Sequence, residues 1–209
     1  MTPAPMELAL QSRRVTRVLL DFDLSIEFAG GATVAFSEFV IGDVLVDEDN
    51  QFEGLRLAAA LVGRLCESVA YAESGELTIV FDDGTVVEAA SREEVESWEY
   101  TGSDGSTVVC LAGGDIEFLS GPSDPPAPIP AVTELPSVGA SVVRIAMGDK
   151  STVEFSDRTS VPAAVSLDEA YLVLRESVAE VSEHQIALSS GVVIAVPQRF
   201  GAGSRPHTE

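Results

Sequence analysis

Short runs of alternating apolar and polar residues, each closed by a glycine turn, constrain this chain more than any other feature of its sequence. Leu24-Ser-Ile26-Glu-Phe28 puts three apolar side chains on one face and polar ones on the other, the period-two pattern of a strand buried on one side. Val15 to Leu20 and Thr33 to Phe36 flank it with β-branched and aromatic residues. Gly30-Gly31 supplies a turn, because glycine takes positive φ without steric cost. Ser68 to Ala72, Leu77 to Phe81 and Val86 to Ala89 continue the pattern across Ser74-Gly75 and Asp83-Gly84. Ser97 to Thr101 and Thr107 to Leu111 do so across Asp104-Gly105, and Gly113-Gly114 leads into Ile116 to Leu119. Helical spacing interrupts them once, over Phe52 to Cys66, where Ala58, Leu61, Val62 and Leu65 fall at i, i+3, i+4 and i+7. Asn50 and Glu53 stand where they can cap that helix.

Proline then breaks the pattern. Gly121-Pro-Ser-Asp-Pro-Pro-Ala-Pro-Ile-Pro130 can neither pair as a central strand nor continue a helix, so residues 120–137 read as a linker. Beyond it the sequence resembles its own beginning. Val15, Val18, Ile26-Glu27-Phe28 and Val34 find counterparts in Val142, Ile145, Val153-Glu154-Phe155 and Val161 at one offset (142 − 15 = 127). Glu67-Ser68-Val69-Ala70 recurs as Glu176-Ser177-Val178-Ala179 at another (176 − 67 = 109), which also carries the helical stripe onto Leu167, Ala170, Tyr171 and Leu174. Ser166 and Glu169 form a capping box there. The expected fold is therefore α+β: two diverged copies of an antiparallel sheet with one helix packed on it, a βββ-α-ββ(β) repeat. Residues 1–12 read as a flexible start, 13–119 as the first copy with extra hairpins, 138–200 as a shorter second copy and 201–209 as a disordered tail.

Charge narrows the partners. With 34 acidic and 12 basic residues among 209, the formal net charge is −22. That field repels phosphate backbones and anionic lipid, so direct nucleic-acid and membrane contact are not expected, while a basic protein is. The same acidity would also serve solubility alone. Lys150 is the only lysine beside eleven arginines, a codon bias of GC-rich genomes such as those of actinobacteria and their phages. With no signal-like segment and no run of about 18 apolar residues, a cytoplasmic location is expected.

No chemistry-bearing motif emerges. Asp47-Glu48-Asp49-Asn50-Gln51-Phe52-Glu53 alternates carboxylates as a calcium loop does, yet Phe52 stands where the sharp turn needs glycine and Ala58 where the bidentate glutamate belongs. His184 falls in a turn and His207 in the tail, and no nucleophile elbow accompanies either. Cys66 and Cys110 match no metal or redox spacing and read as small buried hydrophobes. Asp21 with Asp23, and Asp82 with Asp83, read as turn residues. No catalytic, metal or cofactor residues are assigned, and an enzyme is not expected.

One constellation carries a resemblance. Asp82-Asp83-Gly84, Ser97-Trp98-Glu99-Tyr100-Thr101-Gly102, Asp104-Gly105, Val108-Val109-Cys110 and Gly113-Gly114 resemble the ending of a family of small actinobacterial proteins of unknown function, over about residues 13 to 119. The resemblance implies a common fold and transfers no activity. The leading expectation is a protein-binding protein, an immunity-type or inhibitory partner of a basic protein. Its candidate contact residues are Asp43, Asp47, Glu48, Asp49, Glu53, Trp98 and Glu99. The alternatives are a nucleic-acid mimic that blocks a DNA-binding protein, and a small-molecule module with a pocket between the copies. Homo-oligomerisation stays open.

Overall fold

The computed structural model describes residues 8–119, 135–148, 151–163, 170, 172–182 and 184–196. The tail, the capping box of Ser166 and Glu169, and most of the expected linker and flexible start lie outside them. The glycine-bounded runs fold as antiparallel hairpins: β1 (Val15–Leu20), β2 (Leu24–Phe28), β3 (Thr33–Phe36), β4 (Phe39–Ile41) and β5 (Val44–Val46), then α1 (Gln51–Ala59). Next come β6 (Cys66–Tyr71), β7 (Leu77–Phe81), β8 (Val86–Ala89), β9 (Trp98–Thr101), β10 (Thr107–Cys110) and β11 (Ile116–Leu119). Past residue 134 follow β12 (Val142–Gly148), β13 (Thr152–Phe155), β14 (Ser160–Pro162), β15 (Val178–Val181), β16 (Gln185–Leu188) and β17 (Val193–Ala195).

This architecture corrects the α+β expectation. Among the described residues strands make up 47% and helix 7%, in three sheets rather than in two sheet-plus-helix units. One sheet runs β11-β10-β9-β3-β2-β1-β12-β13-β14, a second β5-β4-β8-β7-β6, and a third β15-β16-β17. Strands β4 and β5 before α1 thus share the second sheet with β6, β7 and β8 after it, while β1 and β12 join the two ends of the chain in the first. α1 is also shorter than its apolar spacing suggests. It stops at Ala59, tightens into i→i+3 bonds such as Leu61 N to Ala58 O, and reverses at Gly63, whose φ is +90°. Asn50 makes no capping bond with α1; its side chain instead bridges Asp47 N (2.8 Å) and Leu45 O (2.7 Å).

The sheets close over a single core. Leu24, Ile26 and Phe28 turn inward from β2, Leu77, Ile79 and Phe81 from β7, and Leu55 and Ala58 from α1. Phe28 and Phe81 stack across the layers, with ring centroids 6.4 Å apart.

Within this all-antiparallel frame the strand ladders recur. Val15↔Phe28, Arg17↔Glu27 and Val18↔Ile26, with a bulge after Val15, match Val142↔Phe155, Arg144↔Glu154 and Ile145↔Val153, with a bulge after Val142, all at the 127 offset. The second offset of the sequence reading is corrected. Cys66↔Phe81, Ser68↔Val80 and Val69↔Ile79 match Val178↔Leu188, Glu180↔Ala187 and Val181↔Ile186, so β6 maps onto β15 at an offset of 112 (178 − 66) and β7 onto β16 at 107 (188 − 81). The identical Glu-Ser-Val-Ala blocks are three residues out of structural register (112 − 109).

Candidate functional site

Four separate segments enclose a cleft of about 490 Å³. The β1–β2 turn brings Phe22 and Asp23, the β3–β4 connection Ser37 and Glu38, the approach to α1 Asp47, Glu48, Asp49 and Gln51, and the approach to β9 Arg92 and Val95. Backbone and side-chain bonds fix these walls. Gln51 Nε2 donates to Phe22 O (2.8 Å), Ser37 Oγ to Glu96 O (2.7 Å), and Arg92 N to the buried Ser97 Oγ (2.7 Å). Asp49 N donates to Asp47 Oδ1 (3.0 Å), an Asx turn that holds the acidic loop in place.

Five carboxylates thus face one guanidinium, and that guanidinium is engaged by Glu38 at 3.6 Å. Partial burial, and then the negative charges of Asp21 and Glu96, hold the Asp23 carboxyl above the usual aspartate range. Phe22 stands 82% exposed at the rim, with Val95 42% exposed nearby. An open, acidic concavity edged by an unshielded aromatic ring has the charge and the ring face that can accept a cationic side chain.

The structure gathers part of the expected set. Asp47, Glu48 and Asp49 line the cleft; Asp43, Glu53, Trp98 and Glu99 do not. Asp43 lies in the β4–β5 turn. Glu53 accepts hydrogen bonds from Arg56 on the exposed face of α1, which holds its carboxyl below the usual range. Glu99 points outward from β9 and accepts from Thr101 Oγ1 (3.1 Å). Trp98 is a core residue, 2% exposed, packed edge-on against Tyr71 and donating from Nε1 to Gly75 O (2.7 Å), so it offers no contact surface. Phe22 escaped the sequence reading; an aromatic residue between two turn aspartates was the available signal.

A second cleft, of about 240 Å³, lies over the seam of β1 and β12 and is lined by Arg17, Leu19, Asp21, Ser25, Glu27, Thr33, Arg144 and Glu154. Its charges are largely paired, two guanidiniums among three carboxylates: Arg17 bonds Glu27, and Arg144 bonds Asp21 (2.7 and 2.9 Å) and approaches Glu154 (3.5 Å). It is not the apolar concavity that a small-molecule module calls for. Burial pushes the Cys66 thiol up to about 11 and raises that of Cys110, which keeps both protonated at neutral pH. Among the described residues no group of three or more His, Cys, Asp or Glu could hold a metal ion, and no helix is long and apolar enough to cross a membrane.

Fold and site together define a predominantly antiparallel β protein with a single core and an acidic, aromatic-rimmed cleft. The chain belongs to a family of unknown function, DUF6188, whose model matches residues 6–120 and so takes in the whole cleft. No curated protein and no solved structure matches the chain.

Proposed function

We propose that this protein is a non-enzymatic, acidic binding protein that captures a basic protein partner, in the manner of an immunity-type or inhibitory protein, through the cleft between the β1–β2 turn and the acidic loop. The observation that carries the reading is the convergence of Asp23, Glu38, Asp47, Glu48 and Asp49 from separate segments beside the exposed ring of Phe22. Like charges brought together in a folded site repel one another, and an incoming Lys or Arg relieves that repulsion. Partial burial, with the charges of Asp21 and Glu96, already raises the Asp23 carboxyl at the edge of this site. The net charge of −22 would steer the encounter from a distance, and Phe22 would supply the apolar anchor that charge alone lacks.

The test is a quantitative capture from the lysate of a GC-rich actinobacterial host, as the lysine-poor composition suggests, at low and high salt. Wild type is compared with the triple variant Asp47→Asn, Glu48→Gln, Asp49→Asn and with Phe22→Ala. A basic protein should be recovered by wild type at low salt, released at high salt, and bound at least tenfold less by both variants. Equal recovery by wild type and the triple variant would mean that bulk acidity, not the cleft, does the binding, and would overturn the reading.

A further inference from the structure

We propose that the outer edge of β1 is a self-recognition surface that fits β1 of a second copy of this fold, and that β12 keeps it occupied within the chain. The pairing is Arg17↔Gly148, Val18↔Met147, Leu19↔Ala146 and Leu20↔Ile145. Subtracting the 127 offset turns the partners into positions 21, 20, 19 and 18. Strand β1 therefore meets, in β12, its own positions in reverse order, with Leu19 opposite itself. That is the arrangement of an isologous contact across a two-fold axis, in which residue i meets j and j meets i. The matching bulges and ladders of β1–β2 and β12–β13 extend the relation one strand further on each side.

The charges carry the same imprint. Arg144, at the place of Arg17, donates two hydrogen bonds to Asp21. The reciprocal bond would join Arg17 to position 148, but that residue is Gly148, and Arg17 turns to Glu27 instead. Between two β1 strands both halves would form, Arg17 to Asp21 of the second copy and the reverse, around a Leu19–Leu19 contact. Two further observations fit. The family match ends at residue 120, so the family segment contains β1 but not the strand that covers it, and an uncovered strand with Val18 and Leu20 in the core needs a partner. Strand β14 ends the sheet, so the strands that a second copy carries beyond β3 would extend the sheet outward. In the intact chain β12 prevails because its tether makes the pairing intramolecular.

The experiment uses the full chain carrying Arg144→Asp, which sets a carboxylate against Asp21 and Glu154 and weakens the internal pairing. Light scattering should report twice the 22.0 kDa chain mass. With Leu19→Cys added, an interchain disulfide should form under oxidation, because position 19 then meets itself. Leu19→Cys alone should stay monomeric, since Ala146 is opposite. Adding Asp21→Arg to Arg144→Asp restores an internal ion pair and sets Arg17 against a second guanidinium between copies, so the monomer should return. Should Arg144→Asp precipitate, Arg144→Ala is read in the same way. A folded monomer in the Arg144 variant, a dimer without the 19–19 disulfide, or a dimer that survives Asp21→Arg would overturn the proposal.

Discussion

Among the described residues, three other than glycine adopt positive φ: Ser12 (64°), Arg158 (69°) and Arg175 (70°). The corresponding position in the other ladder is a glycine each time. Ser12 N bonds Cys66 O as Gly139 N bonds Val178 O, Gly31 N bonds Phe28 O as Arg158 N bonds Phe155 O, and Gly63 N bonds Val15 O as Arg175 N bonds Val142 O. The left-handed region crowds Cβ against the neighbouring carbonyl, at about 1–2 kcal/mol for an ordinary residue. Glycine avoids that cost but loses more chain entropy on folding, about 0.5–1 kcal/mol. All three side chains are exposed and give up little packing. Ser12→Gly, Arg158→Gly and Arg175→Gly should each stabilise the fold by roughly 0.5 kcal/mol, and together add nearly independently. Urea denaturation midpoints check this; a loss of stability on all three would mean that the side chains hold the turns themselves.

The second hairpin pair is held to the sheet opposite through Trp98, Cys110 and the Gly113-Gly114 turn. Trp98 on β9 and Cys110 on β10 are cross-strand partners, and both reach the carbonyl of Gly75 in the β6–β7 turn. A Cβ on Gly75 would lie 2.6 Å from Cys110 Sγ and 2.9 Å from the Gly114 backbone, on a residue already at φ +86°. Gly75→Ala should therefore cost about 3 kcal/mol, overpacking and backbone strain combined. Trp98→Phe keeps most of the ring but leaves Gly75 O without its indole donor, at about 1–3 kcal/mol. Thermal unfolding reads both, and a loss below about 0.5 kcal/mol for Gly75→Ala would show that the turn moves freely away. Through these contacts Trp98 ties the extra hairpins to the sheet opposite.

At the same scale, legibility followed local physics. β1, β2, β3, β7, β8 and β11 begin and end where alternation and glycine turns put them. β5 was hidden because Val44-Leu-Val46 lies within an acidic stretch, and its hairpin needs Gly42 at φ +61°. Sheet membership was not legible at all: which hairpin joins which sheet depends on pairings between distant segments, such as β4 with β8 and β3 with β9. The Glu-Ser-Val-Ala identity misled for a related reason. Letters can match at any register, but an odd slip would exchange the buried and exposed faces of a strand. In the cleft, Asp47 to Asp49 were legible as a charge run. Asp23, Glu38, Arg92 and Val95 became neighbours only through tertiary folding.

For the whole molecule, the excess of 22 negative charges works against compactness, since folding brings carboxylates closer than the unfolded chain holds them. The ion pairs among the described residues are few and mostly half-exposed, so their contribution is small and is itself screened. Added salt therefore relieves more repulsion than it removes attraction, because at about 0.5 M the Debye length falls to a few ångströms, well below the span of the surface. The melting temperature should rise between roughly 0.02 and 0.5 M sodium chloride, by about 2–4 °C for each kcal/mol relieved in a chain of this size. Calorimetry checks it, and a falling melting temperature would mean that the ion pairs dominate instead. The sign separates stability from binding: salt should strengthen the fold while it weakens capture of a basic partner. Release of that partner at high salt then reports screening of the cleft, because under those conditions the protein that lets go is the more stable one.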